Sequence, residues 1–233
     1  MPLTVINGNI FNSDLQTIVN TVNCVGVMGA GIAFECRLRF PDMYEKYIQL
    51  CENGQFEIGN LWLYKQASPV PKWVLNFPTK RHWRNPSKLE YLRIGLEKFV
   101  QSYEEKQIES IAFPTLGSLN GGLDSDESLR LMKSYLERIS IPVEIYIHDK
   151  TAKDDLYEVV KSSVIHHDNA TLSRECGIQS IRIEKLRLAF ERDDICQLNQ
   201  LSRIKGIGTS TLAKVFKFAT SRETVLQQSL NLT

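Results

Sequence analysis

Two glycine-rich stretches of the chain contain residue types that suit phosphate binding. The first lies between residues 23 and 33 and places three glycines directly before a segment with helical spacing. The second lies between residues 116 and 124, with Asp124 or Ser125 as the N-cap of a following helix. Glycine lets backbone N–H groups approach an anion, and a helix N-terminus adds partial positive charge. One such stretch is equally typical of a plain strand–helix turn, whereas two together predict a clamp around a diphosphate.

A third stretch combines cationic and aromatic side chains. Three cations, a histidine and a tryptophan occupy residues 80–84. Such a mixture can grip phosphates and stack on a base, although a solvated basic turn explains most of these side chains equally well. Lys80 is the exception, because a partly buried lysine beside other cations has a lowered pKa and becomes a competent nucleophile.

The elements that must position these stretches alternate between strand and helix. Apolar or β-branched runs predict strands at residues 3–6, 17–22, 61–64, 73–77, 110–113 and 143–147. Helical spacing of apolar residues predicts helices at residues 32–39, 42–52, 88–106 and 125–139. This alternation predicts an α/β domain with a mostly parallel or mixed sheet. Ligands of such sheets bind outside the carboxyl ends of strands, so we expect the three stretches to form one site.

Composition excludes several classes of protein. The 233 residues are 42% hydrophobic, which suits one or two globular domains, and the formal net charge of +1 favours no particular partner. No apolar run reaches the length of about 18 residues that a membrane-spanning helix needs, and no secretory signal is visible. The five scattered cysteines include no CxxC pair, so they indicate reduced thiols in a cytoplasmic protein, with no disulfide framework and no metal site.

The end of the chain differs in charge from the rest. Residues 162–233 carry ten basic and seven acidic side chains, whereas residues 1–161 carry 18 basic and 20 acidic ones. A polar stretch without periodicity around residues 166–171 predicts a boundary, with domains at 1–161 and 172–233 and no internal repeat.

The predicted second domain is small and all-α. It opens with a predicted helix over residues 173–191, and a later Gly206-Ile207-Gly208 segment between two apolar segments resembles a helix-hairpin-helix motif. The amides of such hairpins suit a DNA phosphate, so Lys205, Gly206 and Gly208 are predicted to contact DNA. A plain packing hairpin is the alternative interpretation.

Three separated blocks of sequence, NTVNCVGVMGAGIA, NFPTKRHWRNPSKLEYL and GGLD, resemble macrodomains of the DarG and terminal ADP-ribose protein glycohydrolase branch. The resemblance spans about residues 1–150. It implies a three-layer α/β/α macrodomain with a mixed central sheet, an ADP-ribose pocket and no cofactor. In this branch ADP-ribose is removed from modified targets: DarG acts on thymine bases in DNA and reverses the DarT toxin, and the related glycohydrolases act on acidic side chains of proteins.

The resemblance also assigns roles to matched positions. Lys80 matches the catalytic lysine and Asp124 the catalytic aspartate. The positions implied to bind ADP-ribose are Asn9 and Ile10 at adenine, Asn23 at the distal ribose, Gly29, Ala30, Gly31 and Ile32 in the phosphate loop, and Thr79, Leu116, Gly117, Ser118, Asn120, Gly121 and Gly122. The positions predicted to contact DNA near the site are Arg81, His82, Trp83 and Arg84. Two positions depart from the pattern, since Ser118 replaces a frequent cysteine and Ser125 a common tryptophan.

These residues predict an ADP-ribosyl glycohydrolase that acts on DNA. A carboxylate beside the distal ribose can stabilise an oxocarbenium-like transition state, while Lys80 either attacks the anomeric carbon or polarises the leaving group. The alternatives are hydrolysis of protein ADP-ribose esters or of ADP-ribose 1″-phosphate, and a non-catalytic reader of ADP-ribose, which would not need both Lys80 and Asp124. The implied partners are ADP-ribose, ADP-ribosylated DNA and a DarT-like toxin, with no membrane partner. The predicted second domain, residues 172–233, does not resemble the toxin-binding region of DarG.

Overall fold

The computed structural model describes residues 3–66 and 73–230, with side chains as far as residue 222. It divides the chain into two compact units, one ending at His148 and the other beginning at Asp149. Residues 149–161, which the sequence groups with the first domain, therefore belong to the second unit. The physical reason is that Val160 packs into an apolar cluster of that unit, together with Leu172 and Ile183.

A six-stranded mixed sheet forms the centre of the first unit. Its strands are β1 (Leu3–Gly8), β2 (Thr17–Val22), β3 (Trp62–Tyr64), β4 (Trp73–Pro78), β5 (Ile111–Pro114) and β6 (Val143–His148). The spatial order is β1-β6-β5-β2-β4-β3, and every pair is parallel except β3 with β4. Strands β5, β2 and β4 are parallel neighbours, so the loops that follow them leave the same edge of the sheet.

Helices cover both faces of this sheet. They are α1 (Gly31–Arg39), α2 (Pro41–Glu52), α3 (Leu89–Ser102) and α4 (Ser125–Leu136). Successive strand side chains point to opposite faces. On β2, Val19 packs in the cluster that contains the apolar residues of α3 and α4, whereas Ile18 packs with those of α1 and α2. The predicted three-layer architecture with a mixed sheet is thus confirmed.

The second unit contains only helices among its described residues. They are α5 (Tyr157–His166), α6 (Asn169–Cys176), α7 (Ser180–Phe190) and α8 (Thr209–Leu230), with a 3-10 helix at Leu198–Arg203 before α8. The single helix predicted over residues 173–191 is wrong, because Gly177 adopts a left-handed φ of 64° that ends α6. No helix in the described part of the chain is both long and apolar enough to cross a membrane.

Candidate functional site

The three stretches singled out by their composition form three loops at one edge of the sheet. They are the first glycine loop (residues 23–30, after β2), the basic loop (residues 79–88, after β4) and the second glycine loop (residues 115–124, after β5). The two glycine loops approach each other closely, since a Cβ atom placed on Gly31 would lie 2.7 Å from Nδ2 of Asn120. Gly31 also has a φ of 57°, so both the backbone conformation and the contact favour glycine there.

The basic loop is hydrogen-bonded to both glycine loops. The backbone amide of Cys24 donates to the carbonyl of Arg81 at 3.0 Å, which connects it to the first glycine loop. The amide of Ser87 donates to the carbonyl of Gly121 at 2.8 Å, which connects it to the second. These backbone bonds hold the three loops together as a single site.

Lys80 extends from the basic loop to the second glycine loop. Its Nζ donates a hydrogen bond to the carbonyl of Asn120 at 2.8 Å. Partial burial lowers the pKa of Lys80, as the sequence predicts, although the cause is loss of hydration and not the neighbouring arginines. A lowered pKa increases the fraction of neutral amine near pH 7, and only the neutral amine is a nucleophile.

Asp124 has a structural role at the start of α4. One carboxylate oxygen accepts a hydrogen bond from the amide of Glu127 at 2.9 Å, so Asp124 is the N-cap that the sequence allows. Its side chain is exposed and forms no ion pair with Lys80 within the described residues. The N-cap bond fixes the orientation of this carboxylate at the rim of the second glycine loop.

The side chain of Asn23 is used mainly to fold the first glycine loop. Its Oδ1 accepts from the amide of Val25 at 3.0 Å, and its Nδ2 donates to the carbonyl of Val27 at 2.5 Å. The buried hydroxyl of Tyr47, on α2, donates to the backbone carbonyl of Asn23 at 2.7 Å. Asn23 was expected to face the distal ribose. Only 5% of the residue is exposed, so its side chain lies within the first glycine loop.

Tyr47→Phe should therefore weaken binding of ADP-ribose, the ligand that the sequence resemblance implies, although Tyr47 itself lies beneath the loop. The change leaves the Asn23 carbonyl without its buried donor, which typically costs about 1–3 kcal/mol of folding stability. We expect a lower melting temperature and ADP-ribose affinity reduced several-fold, as measured by calorimetry. Tyr44→Phe, on the same helix, is the matched control, and equal affinity in the Tyr47 and Tyr44 variants would contradict the role assigned to Tyr47.

The N-terminus of α1 faces the first glycine loop without a side-chain cap. Ala30 is the N-cap residue, and no side chain accepts a hydrogen bond there. A Cβ atom on Gly29 would meet only Val27 at 3.8 Å, so the fold does not require glycine at this position. Amides without a side-chain cap at a helix N-terminus are an arrangement that a phosphate group can bind.

Other predicted binding residues have evident roles in folding. Oδ1 of Asn9 accepts from the amide of Phe11 at 3.0 Å, and Ile10 is buried beside it. The side chain of Leu116 is fully buried, its amide donates to Sδ of Met132, and its carbonyl accepts from Ser128. The side-chain oxygen of Asn9, which was expected to accept from adenine, thus already accepts from the protein. The backbone of Leu116, which was expected to face a ligand, also has partners within the protein.

The remaining predicted residues of the second glycine loop shape its turn. The hydroxyl of Ser118 donates to the carbonyl of Thr115 at 2.8 Å, and Gly117 and Gly122 have left-handed φ values of 64° and 76°. A Cβ atom on Gly121 would lie 2.6 Å from Oγ of Ser87, so this glycine permits the contact with the basic loop. Thr79, which begins the basic loop, is buried, and its amide donates to the carbonyl of Val22 on the neighbouring strand.

A cysteine nucleophile does not fit this site. Cys24 lies in the first glycine loop, but burial raises the pKa of its thiol to about 11. The thiol is therefore protonated near neutral pH, and the thiolate is the reactive form of cysteine. Lys80 is the stronger candidate for nucleophilic or electrostatic catalysis.

The aromatic part of the basic loop forms an exposed stack. Trp83 is 46% exposed, its ring lies 5.6 Å from that of His82 at 25°, and the guanidinium of Arg84 lies 4.6 Å from the indole centroid. Arg81 instead packs its guanidinium 5.9 Å from the ring of Tyr91 on α3. The stack holds an aromatic surface and a cation at the rim of the site, where a nucleobase could pack against them.

Sequence reasoning missed several residues that support the site. Tyr47 and Ser87 anchor the loops, and a buried amide pair joins Nδ2 of Asn20 on β2 to Oδ1 of Asn76 on β4 at 2.9 Å. Tyr47 resembles any apolar-face residue of a helix, so no local signal could have identified its role. The asparagines in two otherwise apolar strands were a visible signal, because a buried amide needs a partner.

The first unit has the architecture and the loop-lined sheet edge of a macrodomain. The family model of the Macro domain matches residues 19–132, and the chain belongs to this family. It is 38% identical over 159 residues to the DNA ADP-ribosyl glycohydrolase of Thermus aquaticus and 40% identical over 146 residues to that of Mycobacterium tuberculosis. These matches cover 68% and 62% of this chain but 44% and 42% of the relatives, so the chain spans less than half of their length.

Solved structures show the same similarity to DarG proteins. The macrodomain of Thermus aquaticus DarG has a TM-score of 0.60 and 40% identity, and the match covers 63% of this chain and 98% of that one. Thermosipho africanus DarTG in complex with ADP-ribose has a TM-score of 0.60 and 38% identity, over 63% of this chain and 41% of that one.

Proposed function

We propose that this protein is an ADP-ribosyl glycohydrolase that removes ADP-ribose from DNA bases, with thymine as the favoured base. The observation that carries the proposal is Lys80, which meets the carbonyl of Asn120 where two glycine loops converge. Relatives of 38–40% identity that bear the name DNA ADP-ribosyl glycohydrolase support the same activity.

The proposed reaction breaks the bond between the anomeric carbon of the distal ribose and the base. The bonding electrons leave with the base, which gains a proton, and water adds to the anomeric carbon and loses one. Asp124 would stabilise the oxocarbenium character of the transition state. Lys80 would either attack the anomeric carbon to form a transient adduct or stabilise the charge on the leaving group.

The exposed stack at the rim of the site favours DNA as the carrier of ADP-ribose. Trp83, His82 and Arg84 offer a surface on which a neighbouring base can stack, and no such surface is needed to bind a side-chain ester. The hairpin residues Lys205 and Gly206 in the second unit would add phosphate contacts.

The relatives also indicate the setting of the reaction. A Thermosipho africanus relative is named a fusion of DNA ADP-ribosyl transferase and DNA ADP-ribosyl glycohydrolase, which supports a DarT-like toxin as the functional partner. We place this reaction in the cytoplasm, because all five cysteines are free thiols.

The test is hydrolysis of two substrates side by side, an ADP-ribosylated oligonucleotide and an ADP-ribosylated protein, together with a thermal-shift titration of ADP-ribose. We expect release of ADP-ribose from the oligonucleotide and a ligand stabilisation of about 2.7 kcal/mol at a hundredfold excess over Kd. Stabilisation without release from either substrate would indicate a reader, and release only from the protein would move the substrate to side-chain esters. No stabilisation at millimolar ADP-ribose would contradict the site itself.

A further inference from the structure

The second unit contains an internal repeat that spans its hairpins. Residues 168–190 and 197–219 align without gaps at an offset of 29 residues. The identical residues are Leu172, Ser173, Arg174, Gly177, Ile178 and Lys185 in the first copy and Leu201, Ser202, Arg203, Gly206, Ile207 and Lys214 in the second. The leucine and the isoleucine of each copy are buried, and the arginine of each copy is exposed. The expectation that the chain has no internal repeat is therefore wrong.

The two copies also have the same backbone structure at their hairpins. Gly177 and Gly206 both adopt left-handed φ values, of 64° and 93°. Two residues later, the carbonyl of Gln179 accepts from the amides three and four residues further on at 2.9 and 3.1 Å. The carbonyl of Gly208 accepts from the equivalent two amides at 3.0 Å each. Helices α7 and α8 then begin at equivalent positions.

The equivalent lysines make reciprocal contacts between the hairpins. Nζ of Lys185, in the first copy, donates to the carbonyl of Lys205 in the second hairpin at 3.0 Å. Nζ of Lys214, in the second copy, donates to the carbonyl of Gly177 in the first hairpin at 2.5 Å. Equivalent lysines thus cross between the hairpins in both directions, onto carbonyls that are one position apart in the alignment. This is the pattern expected of two copies related by an approximate two-fold axis.

The two copies together carry more basic than acidic side chains. The second copy has four basic and no acidic residues, and the first has four basic and three acidic ones. Arg174 and Arg203 occupy equivalent exposed positions, three residues before the glycine of each hairpin. The surface thus combines positive charge with approximate two-fold symmetry.

We propose that the two hairpins bind duplex DNA together, one on the backbone of each strand. The antiparallel strands of a duplex are related by local two-fold axes, so a basic surface with two-fold symmetry matches the duplex but not a single strand. This proposal extends the DNA specificity of the proposed function. It gives the Gly177 hairpin the same DNA-binding role as the Gly206 hairpin, although sequence reasoning did not single out Gly177. Duplex DNA would be the ligand of this surface.

The test measures fluorescence anisotropy of the full chain with an unmodified duplex and with one of its single strands, at several salt concentrations. Arg174→Gln and Arg203→Gln should each reduce duplex affinity about threefold to tenfold and lower the salt slope by about one, because each removes one phosphate contact. The double variant should show roughly the product of the two effects. Lys150→Gln, at an exposed lysine of the second unit outside both copies, is the matched control for charge.

Three outcomes would overturn the proposal: an effect of Arg203→Gln without one of Arg174→Gln, binding of the single strand as tightly as the duplex, or an equal loss in the Lys150 variant. Circular dichroism of each variant checks that the second unit remains folded. Hydrolysis is measured separately with the unchanged protein on an ADP-ribosylated single strand. Loss of the proposed activity and loss of duplex recognition are thereby distinguished.

Discussion

Lys80→Ala is expected to lower turnover on an ADP-ribosylated oligonucleotide by about a hundredfold or more, with ADP-ribose affinity nearly unchanged. The side chain extends from the basic loop to the carbonyl of Asn120, whereas the contacts between the two glycine loops do not involve it. Its removal therefore takes away a nucleophile or a positive charge and leaves the two glycine loops in place. Single-turnover kinetics and calorimetry with ADP-ribose separate the two quantities. Full turnover in this variant would show that Lys80 is not catalytic.

Lys80→Arg and a pH profile distinguish the two roles of Lys80. Arginine keeps the positive charge but cannot act as an amine nucleophile, so full activity of the arginine variant would exclude a covalent adduct. Burial lowers the pKa of Lys80, and the neutral amine becomes populated as pH rises through that pKa. Turnover should rise with pH over this range if the amine attacks. It should fall if the ammonium stabilises the leaving group.

Asp124→Asn is expected to lower turnover by about a hundredfold while the melting temperature stays nearly unchanged. Asparagine caps helices as well as aspartate does, so the hydrogen bond to the amide of Glu127 can persist. What is lost is the negative charge that would stabilise the oxocarbenium-like transition state.

Asp124→Ala is the matched comparison for the N-cap role. It removes both the charge and the cap, so it should lose similar turnover and in addition about 1 kcal/mol of folding stability. If the asparagine variant retained full turnover, Asp124 would be an N-cap alone, and the catalysis would rest on Lys80.

The sequence by itself determined the strands and helices of the first unit and the chemistry of its loops. Strands at residues 17–22, 73–78 and 111–114 follow from β-branched and apolar runs that need no partner to be recognised. Glycines and cations directly after these strands are local features. The lowered pKa of Lys80 was expected from partial burial beside other cations, and burial alone is its cause. The hairpin at Gly206 was also visible locally, as a Gly-Ile-Gly segment between two apolar segments, and Gly206 adopts a left-handed φ that favours glycine.

Only the tertiary structure decided which side chains and backbone groups contact each other. The backbone carbonyl of Asn23 accepts from the hydroxyl of Tyr47, which lies on a helix 24 residues further along the chain. The close approach of α3 to β4 depends on Gly95, where a Cβ atom would lie 2.2 Å from the ring of Phe77. The reciprocal lysine contacts of the second unit join carbonyls and ammonium groups 20 and 37 residues apart. Periodicity and local spacing carry no information on such pairings, since they are fixed by how the elements pack and not by the order of residues within each element.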